Sequence, residues 1–212
     1  VAGRGPRPDL RRALGQSLRT GGEIVELPRR RRRLRPRPVV MICDVSGSMD
    51  RYSRMLLHFG HAMRGRQRRL EVFVFSTRLT RLTLELRHRH LDRAMAAASR
   101  TVTGWSGGTR IGESLRQFHQ RWRRRVLHGG PVVLLISDGW DRGDPVLLRE
   151  QMARLRRSCH RLIWLNPLIG TDDYAPLTRG LQAALPFVDG FLPARTLTDL
   201  RALANYLNDV EE

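Results

Sequence analysis

An apolar run, Val39-Val40-Met41-Ile42-Cys43, interrupts a chain that up to Pro38 is dominated by arginine. Such a run without alternation is the pattern of a strand buried on both faces. Met55, Leu56, Phe59, Ala62 and Met63 then recur at helical spacing. Residues 71–75 predict a second strand, and 81–86 alternate as an edge strand does. An alanine-rich helix is predicted over 91–102, followed by a helix with Ile111, Leu115, Phe118 and Trp122 on one face. Gly129-Gly130-Pro131 stops the chain before another fully apolar strand at 132–136. Leu148, Met152, Leu155 and Cys159 line a helix whose other side carries Arg149, Arg154, Arg156 and Arg157. A strand at 162–165 ends at Asn166-Pro167, a short one is predicted at 187–192, and Leu200, Leu203, Ala204 and Leu207 mark a closing helix.

Strands alternating with helices predict the α/β class: a Rossmann-like, doubly wound, mostly parallel sheet with helices on both faces. No internal repeat is visible. In such folds ligands bind at the carboxyl ends of strands, where the strand order reverses, so the loops after the strands carry the chemistry. After the first strand the chain reads Asp44-Val45-Ser46-Gly47-Ser48. A later helix opens with Gly107-Gly108-Thr109, and the strand at 132–136 leads into Ser137-Asp138-Gly139. Asp44, Ser46, Ser48, Thr109 and Asp138 form an all-oxygen donor set, which suits Mg2+, with Mn2+ or Ca2+ as alternatives, and not zinc. Asp44, Ser46 and Ser48 alternate through a turn, so their side chains can face one point. A divalent cation wants about six oxygens. Ligation largely by neutral hydroxyls leaves its charge unneutralised, and an Asp or Glu from outside is the natural last ligand.

Charge adds a second theme. The chain has 39 basic residues against 20 acidic ones, a net charge of +19, and every basic residue is arginine. Without lysine, a P-loop, a Schiff base and a Ser-Lys pair are excluded. Residues 1–38 form an arginine-rich arm, with twelve Arg against Asp9, Glu23 and Glu26, ahead of a domain over 39–212. Residues 9–18 predict a short helix capped by Asp9. The 29–38 stretch, rich in Arg and Pro, is expected to be extended and solvated. It reads as a lead-in to the first strand, because no aromatics interleave the arginines to stack bases. The alternative reading of the chain is a nucleic-acid-binding protein using this arm, with salt-steep, metal-independent binding. Two cysteines cannot build a disulfide framework, and Cys43 sits in an apolar strand; both are read as reduced and the protein as cytoplasmic. No apolar run is long enough for a transmembrane segment, and no signal-peptide pattern opens the chain. A first residue of Val1 instead of Met is read as a trimmed chain or the C-terminal piece of a longer one.

The constellation Asp44, Ser46, Ser48, Thr109 and Asp138 resembles the metal-ion-dependent adhesion site of von Willebrand factor A (VWA) domains, in matching order and strand-end placement, over about residues 38–210. The resemblance implies that the serines and the threonine hold the metal, that the aspartates often act through water, and that a partner's carboxylate completes the shell. Arg19-Thr20-Gly21-Gly22, the run from Asp44 to Met49, Phe75-Ser76-Thr77, the loop Ser106-Gly107-Gly108-Thr109-Arg110-Ile111-Gly112, and Ile163-Trp164-Leu165-Asn166-Pro167 are similar to CoxE-like proteins. Those are bacterial cytoplasmic VWA proteins associated with MoxR-type AAA+ ATPases and implicated in maturing the metal centre of carbon monoxide dehydrogenase. The resemblance thus implies an adaptor that docks an acidic residue of such an ATPase or of its client enzyme.

Rival chemistries fit less well, and the chain is not expected to be an enzyme. Ser46 and Ser48 lack the Gly-x-Ser-x-Gly setting of a hydrolase nucleophile. Asp44 lacks the second aspartate two residues on that haloacid-type phosphatases use. A magnesium hydrolase would need a general base that no motif supplies. His58 with His61, and His88 with His90, lack partner ligands at zinc spacing. Arg142-Gly143-Asp144 spells the integrin-recognition tripeptide, but Asp144 is expected to cap a helix starting at Pro145. Trp105, Arg110, Asp141 and Asp50 flank the site; Arg110 is a candidate for meeting the incoming acid, and Asp141 for supporting the site from behind.

Overall fold

The computed structural model describes residues 2–30, 37–66, 69–102, 108–170 and 178–209. The chain divides into two compact units, one built on the arm up to Pro36 and the other spanning Arg37–Val210. In the first, β1 (Ala2–Pro8) pairs antiparallel with β2 (Arg29–Arg30), with an irregular register between Ala2 and Arg7. Arg29 and Arg30 are extended and exposed, as expected, although paired with β1; residues 31–36 of that stretch lie outside the described residues. A two-stranded ribbon has a free edge on each strand, so Pro6 and Pro8 fit it without breaking a ladder. Between the strands lies α1 (Leu10–Ser17), whose first turn is capped by the Asp9 carboxylate accepting from the Arg12 amide at 3.3 Å.

The second unit carries the elements in the order β3 (Val39–Asp44), α2 (Asp50–Arg66), β4 (Leu70–Phe75), β5 (Leu79–Arg81), α3 (Leu91–Thr101), α4 (Ile111–Arg121), α5 (Arg123–Val126), β6 (Val132–Ile136), α6 (Pro145–Arg156), β7 (Arg161–Asn166), α7 (Arg179–Ala184), β8 (Gly190–Pro193) and α8 (Leu197–Asp209). Among the described residues they make a six-stranded sheet in the order β5-β4-β3-β6-β7-β8, parallel throughout except for β5. From β3 the chain winds outward to β4 and then returns to lay down β6 on the other side. The order therefore reverses between β3 and β6, and a crevice opens at their carboxyl ends.

Alternating strand residues feed two cores. Val39, Met41, Cys43, Leu134 and Ile136 pack with Leu56 and Leu57 of α2, Ala94 and Ala98 of α3, and Leu203 and Leu207 of α8. Val40, Ile42, Val133, Leu135 and Trp164 pack with Leu115 and Phe118 of α4, Leu148 and Met152 of α6, and Leu181 of α7. Helices on both faces explain why all six residues of β3 are buried and why the run carries no alternation. Cys43 lies in the first core and Cys159 just beyond α6, both as free thiols. Burial pushes the Cys43 thiol well above its usual range and the Cys159 thiol up to about 12.

Two expected strands shift. β5 covers Leu79–Arg81, while Glu85–Arg87 forms a 3-10 turn in place of the expected strand over 81–86. Leu82 and Leu86 are buried and Leu84 is exposed, so the alternating leucines fold as a turn with burial four residues apart. The short strand is held by a fork: Arg81 Nε and Nη2 donate to the two Glu71 oxygens at 2.8 and 3.0 Å, and the Thr83 hydroxyl donates to Oε2. The last strand begins at Gly190, since Leu185–Phe187 is a 3-10 turn and Asp189 is tied to β7, its carboxylate accepting from the Leu162 amide at 2.7 Å.

His119, on the inner face of α4, is 4% exposed, and its Nε2 donates to the Gln151 carbonyl at 3.2 Å. Burial lowers its pKa from 6.5 to about 4; the Gln151 contact opposes the shift, and the Arg154 and Arg123 charges add to it. The unfolded chain takes up this proton near pH 6.5 and the folded one only near 4. Stability is therefore full above about 6.5 and falls as the pH drops toward 4, by roughly 2–3 kcal/mol. His119→Gln should flatten that part of a urea-unfolding series run from pH 8 to 4, relative to the native chain.

Candidate metal centre

Asp44 closes β3 and Ser137-Asp138 follow β6, so the strand reversal brings the two aspartates to one crevice. Asp44 is fully buried, with Oδ1 accepting from the Ser46 amide at 2.9 Å and Oδ2 from the Ser137 hydroxyl at 2.8 Å. Burial raises its pKa to about 6; the bonds from Ser46 and Ser137 oppose the shift, and the Asp138 charge adds to it. Two carboxylates thus face each other's field in a desolvated place. The Asp44–Ser46 bond is an Asx turn, which folds the chain back so that Ser46 and Ser48 sit side by side, with hydroxyl oxygens 3.4 Å apart. Ser46, Ser48 and Thr109 line one open hollow of about 290 Å³, together with Trp140, Asp141 and Arg142. Ser46, Thr109 and Asp138 are each under 5% exposed.

The loop after β6 is built to hold Asp138 still. Its Oδ1 accepts from the Trp140 amide at 3.0 Å, and its carbonyl accepts from the Asn166 side chain at 3.2 Å. Gly139 takes φ +84°, a conformation that favours glycine, and its amide binds the Ser137 hydroxyl. The Trp164 indole, fully buried, donates to the Ser137 carbonyl at 2.9 Å. Thr178, the cap of α7, donates to the Gly139 carbonyl at 2.8 Å. Asp141 Oδ1 accepts from the Ile111 and Gly143 amides and so joins this loop to the start of α4.

The donor set fits a hard divalent cation. Among the described residues no three His, Cys, Asp or Glu side chains gather as a metal site, so a cation here would rest on two carboxylates and three hydroxyls. Ser46, Ser48 and Thr109 line the hollow; Asp44 and Asp138 are buried and do not line it, but their carboxylates accept from the amides of Ser46 and Trp140, which do.

Other flanking residues sort differently. Asp141 lines the hollow and ties its loop to the start of α4, whereas Arg110 turns toward Glu113 at 3.9 Å. Arg142, passed over within Arg142-Gly143-Asp144, lines the hollow; only the bond from its amide to the Thr109 carbonyl at 2.9 Å, across 33 positions, puts it there. Asp144 caps α6, accepting from the Val146 amide at 2.9 Å. Asp50 lines a different groove, between α2 and α3. Trp105 lies outside the described residues. His61 donates to the His88 carbonyl at 2.9 Å. In the sequence Ser137 stands beside Asp138, and Trp164 and Asn166 lie in the run similar to CoxE-like proteins, but no motif assigns these residues, or Thr178, their supporting bonds.

Comparison with known proteins agrees with the architecture. An aerotolerance-related membrane protein from Bacteroides fragilis aligns over 81% of this chain and 98% of its own, at 16% identity and TM-score 0.53. Proximal thread matrix protein 1 from the mussel byssus aligns over 82% of this chain at 14% identity and TM-score 0.55; the chain spans 47% of that protein. Another structure of the mussel protein, at 15% identity and TM-score 0.53, has a zinc-occupied MIDAS motif. Among curated proteins nothing matches. No helix among the described residues is long and apolar enough to cross a membrane. The family model for "VWA domain containing CoxE-like protein" matches residues 1–200, arm included, and the chain belongs to that family.

Proposed function

We propose that the chain is a Mg2+-dependent protein-interaction module, with Mn2+ or Ca2+ as alternative ions, that captures an acidic residue of a partner protein. The observation that carries this reading is the convergence of Ser46, Ser48 and Thr109 on one open hollow, with buried Asp44 and Asp138 bonded to the backbone of its lining residues. A bound divalent cation supplies an electrophilic position that hydroxyl ligands leave only partly neutralised. The chain's own residues do the rest: Asp44 and Asp138 set the charge, the hydroxyls set the geometry, and the net charge of +19 steers an acidic surface toward them. The role is binding, not catalysis. Asp141, the carboxyl that lines the hollow, directs Oδ1 to two backbone amides and serves the fold there.

Within the CoxE-like family the partner is a MoxR-type AAA+ ATPase or its client, and the setting is cytoplasmic maturation of a metalloenzyme of the carbon monoxide dehydrogenase kind. Co-purification of the chain with a MoxR-type ATPase is the test. Capture should hold in Mg2+, disappear in EDTA and return when Mg2+ is restored. Capture that ignores EDTA rejects the proposal.

A further inference from the structure

The loop after β6 does more than carry Asp138. Trp140 is 64% exposed, and Arg142 is exposed beside it, yet the backbones of both are pinned to the site. The Trp140 amide donates to the Asp138 carboxylate and the Arg142 amide to the Thr109 carbonyl. Their side chains line the same hollow as Ser46, Ser48 and Thr109. A Cβ on Gly108 would stand 3.2 Å from Arg142 Cδ and 3.6 Å from its Nε and Nη1, so the arginine lies across a backbone left bare for it.

Neither side chain is committed elsewhere. Among the described residues Arg142 makes no ion pair, although Asp141 and Asp144 flank it, and the Trp140 indole makes no hydrogen bond. An unpaired guanidinium beside a cation site, on a chain of net charge +19, concentrates positive potential that only an anion relieves. A carboxylate has two oxygens, and a planar guanidinium fork is suited to one while a cation holds the other. Exposed Trp and Arg at the rim of a small polar hollow are also the residue types that dominate interface energetics.

We propose that Arg142 and Trp140 set the specificity of the hollow. Arg142 takes the second oxygen of the incoming carboxylate, and Trp140 packs on an apolar side chain next to it in the partner. The recognised element is then an Asp or Glu adjoining an apolar residue, and the inference rests on the metal-dependent reading above.

The test uses the full 212-residue chain and two short peptides, one with a single Glu flanked by glycines and one with the same Glu preceded by Leu. Binding in Mg2+ is measured by isothermal titration calorimetry, and Mn2+ binding is measured separately by paramagnetic resonance. The Leu-Glu peptide should bind about tenfold tighter than the Gly-Glu peptide. Trp140→Ala should erase that difference, and Arg142→Gln should weaken both peptides about tenfold, with Arg142→Lys restoring only part. Mn2+ should still bind all three variants, no more weakly than the native chain, and somewhat tighter in Arg142→Gln, which removes a positive charge beside the ion. Variants that bind both peptides as the native chain does overturn the inference and leave the metal reading standing. So does a native chain that takes Mn2+ and binds neither peptide. A native chain that takes no Mn2+ removes the reading beneath it.

Discussion

Asp44→Asn should produce a folded domain that no longer responds to Mg2+. Asparagine keeps the Asx turn, because its carbonyl still accepts from the Ser46 amide. Its amide can donate to the Ser137 hydroxyl, whose own hydrogen is then free to turn elsewhere. What is lost is one of the two buried charges that face the crevice. Metal affinity should drop by at least about 100-fold, beyond what loss of a supporting residue costs. In the native chain, Mg2+ at a hundred times its dissociation constant adds about 2.7 kcal/mol of stability. For a domain of this size that is a rise in Tm of roughly 5–10 °C. Differential scanning fluorimetry should show that rise in the native chain and none in the variant, and capture of the proposed acidic partner should vanish with it. A variant that keeps the Mg2+-dependent rise would mean that Asp44 holds no ion and that its burial serves packing alone.

The place of Asp44 at a buried strand end is legible in the sequence because two separate signals fall on it. The 39–43 run announces a doubly covered strand, and in a parallel sheet the residue ending such a strand faces the ligand crevice. The same logic located Asp138 behind the 132–136 run. The logic failed where local pattern and tertiary contact compete. Leu82, Leu84 and Leu86 alternate on paper, but the fork between Glu71 and Arg81 fixes a shorter strand and lets Leu82 and Leu86 turn inward. α7 was not legible: its six residues are too few for a helical period, and Thr178 reveals itself as a cap only by its bond to Leu181. Arg110 neighbours Thr109 in sequence, which makes it the candidate that linear spacing offers for the incoming acid. Arg142 neighbours Thr109 through a hydrogen bond, which linear spacing does not encode. The donor residues of this site are thus local motifs, while the residues that aim them, Trp164, Thr178 and Asn166, belong to strands and helices laid down afterwards.

That division predicts that the site can be broken from a distance, and Gly180 is the place. A Cβ there would lie 2.7 Å from Asp141 Cβ and 3.0 Å from the Gly139 carbonyl oxygen, against atoms that cannot swing away. On the other side of the contact, a Cβ on Gly139 would meet Leu181 Cβ and Thr178 Oγ1, both at 3.1 Å. The start of α7 and the 137–142 loop therefore touch glycine to glycine. Gly180→Ala has to part them, which costs about 1–3 kcal/mol by overpacking and moves the loop that carries Asp138. Tm should fall by roughly 3–10 °C, and Mg2+ affinity should fall as well, although the atoms nearest a Cβ on Gly180 belong to Asp141 and Gly139 and not to the five proposed ligands. Gly143→Ala tests the geometry at the same loop. Its Cβ would stand 2.7 Å from Glu113 Oε2, the end of a flexible side chain that can turn aside, so the change should be milder. Gly65→Ala, inside α2 with nothing within 4 Å, should stabilise the domain by up to about 1 kcal/mol and leave Mg2+ binding alone. An order of effects other than Gly180, Gly143, Gly65 would show that α7 is not what holds the metal loop in place.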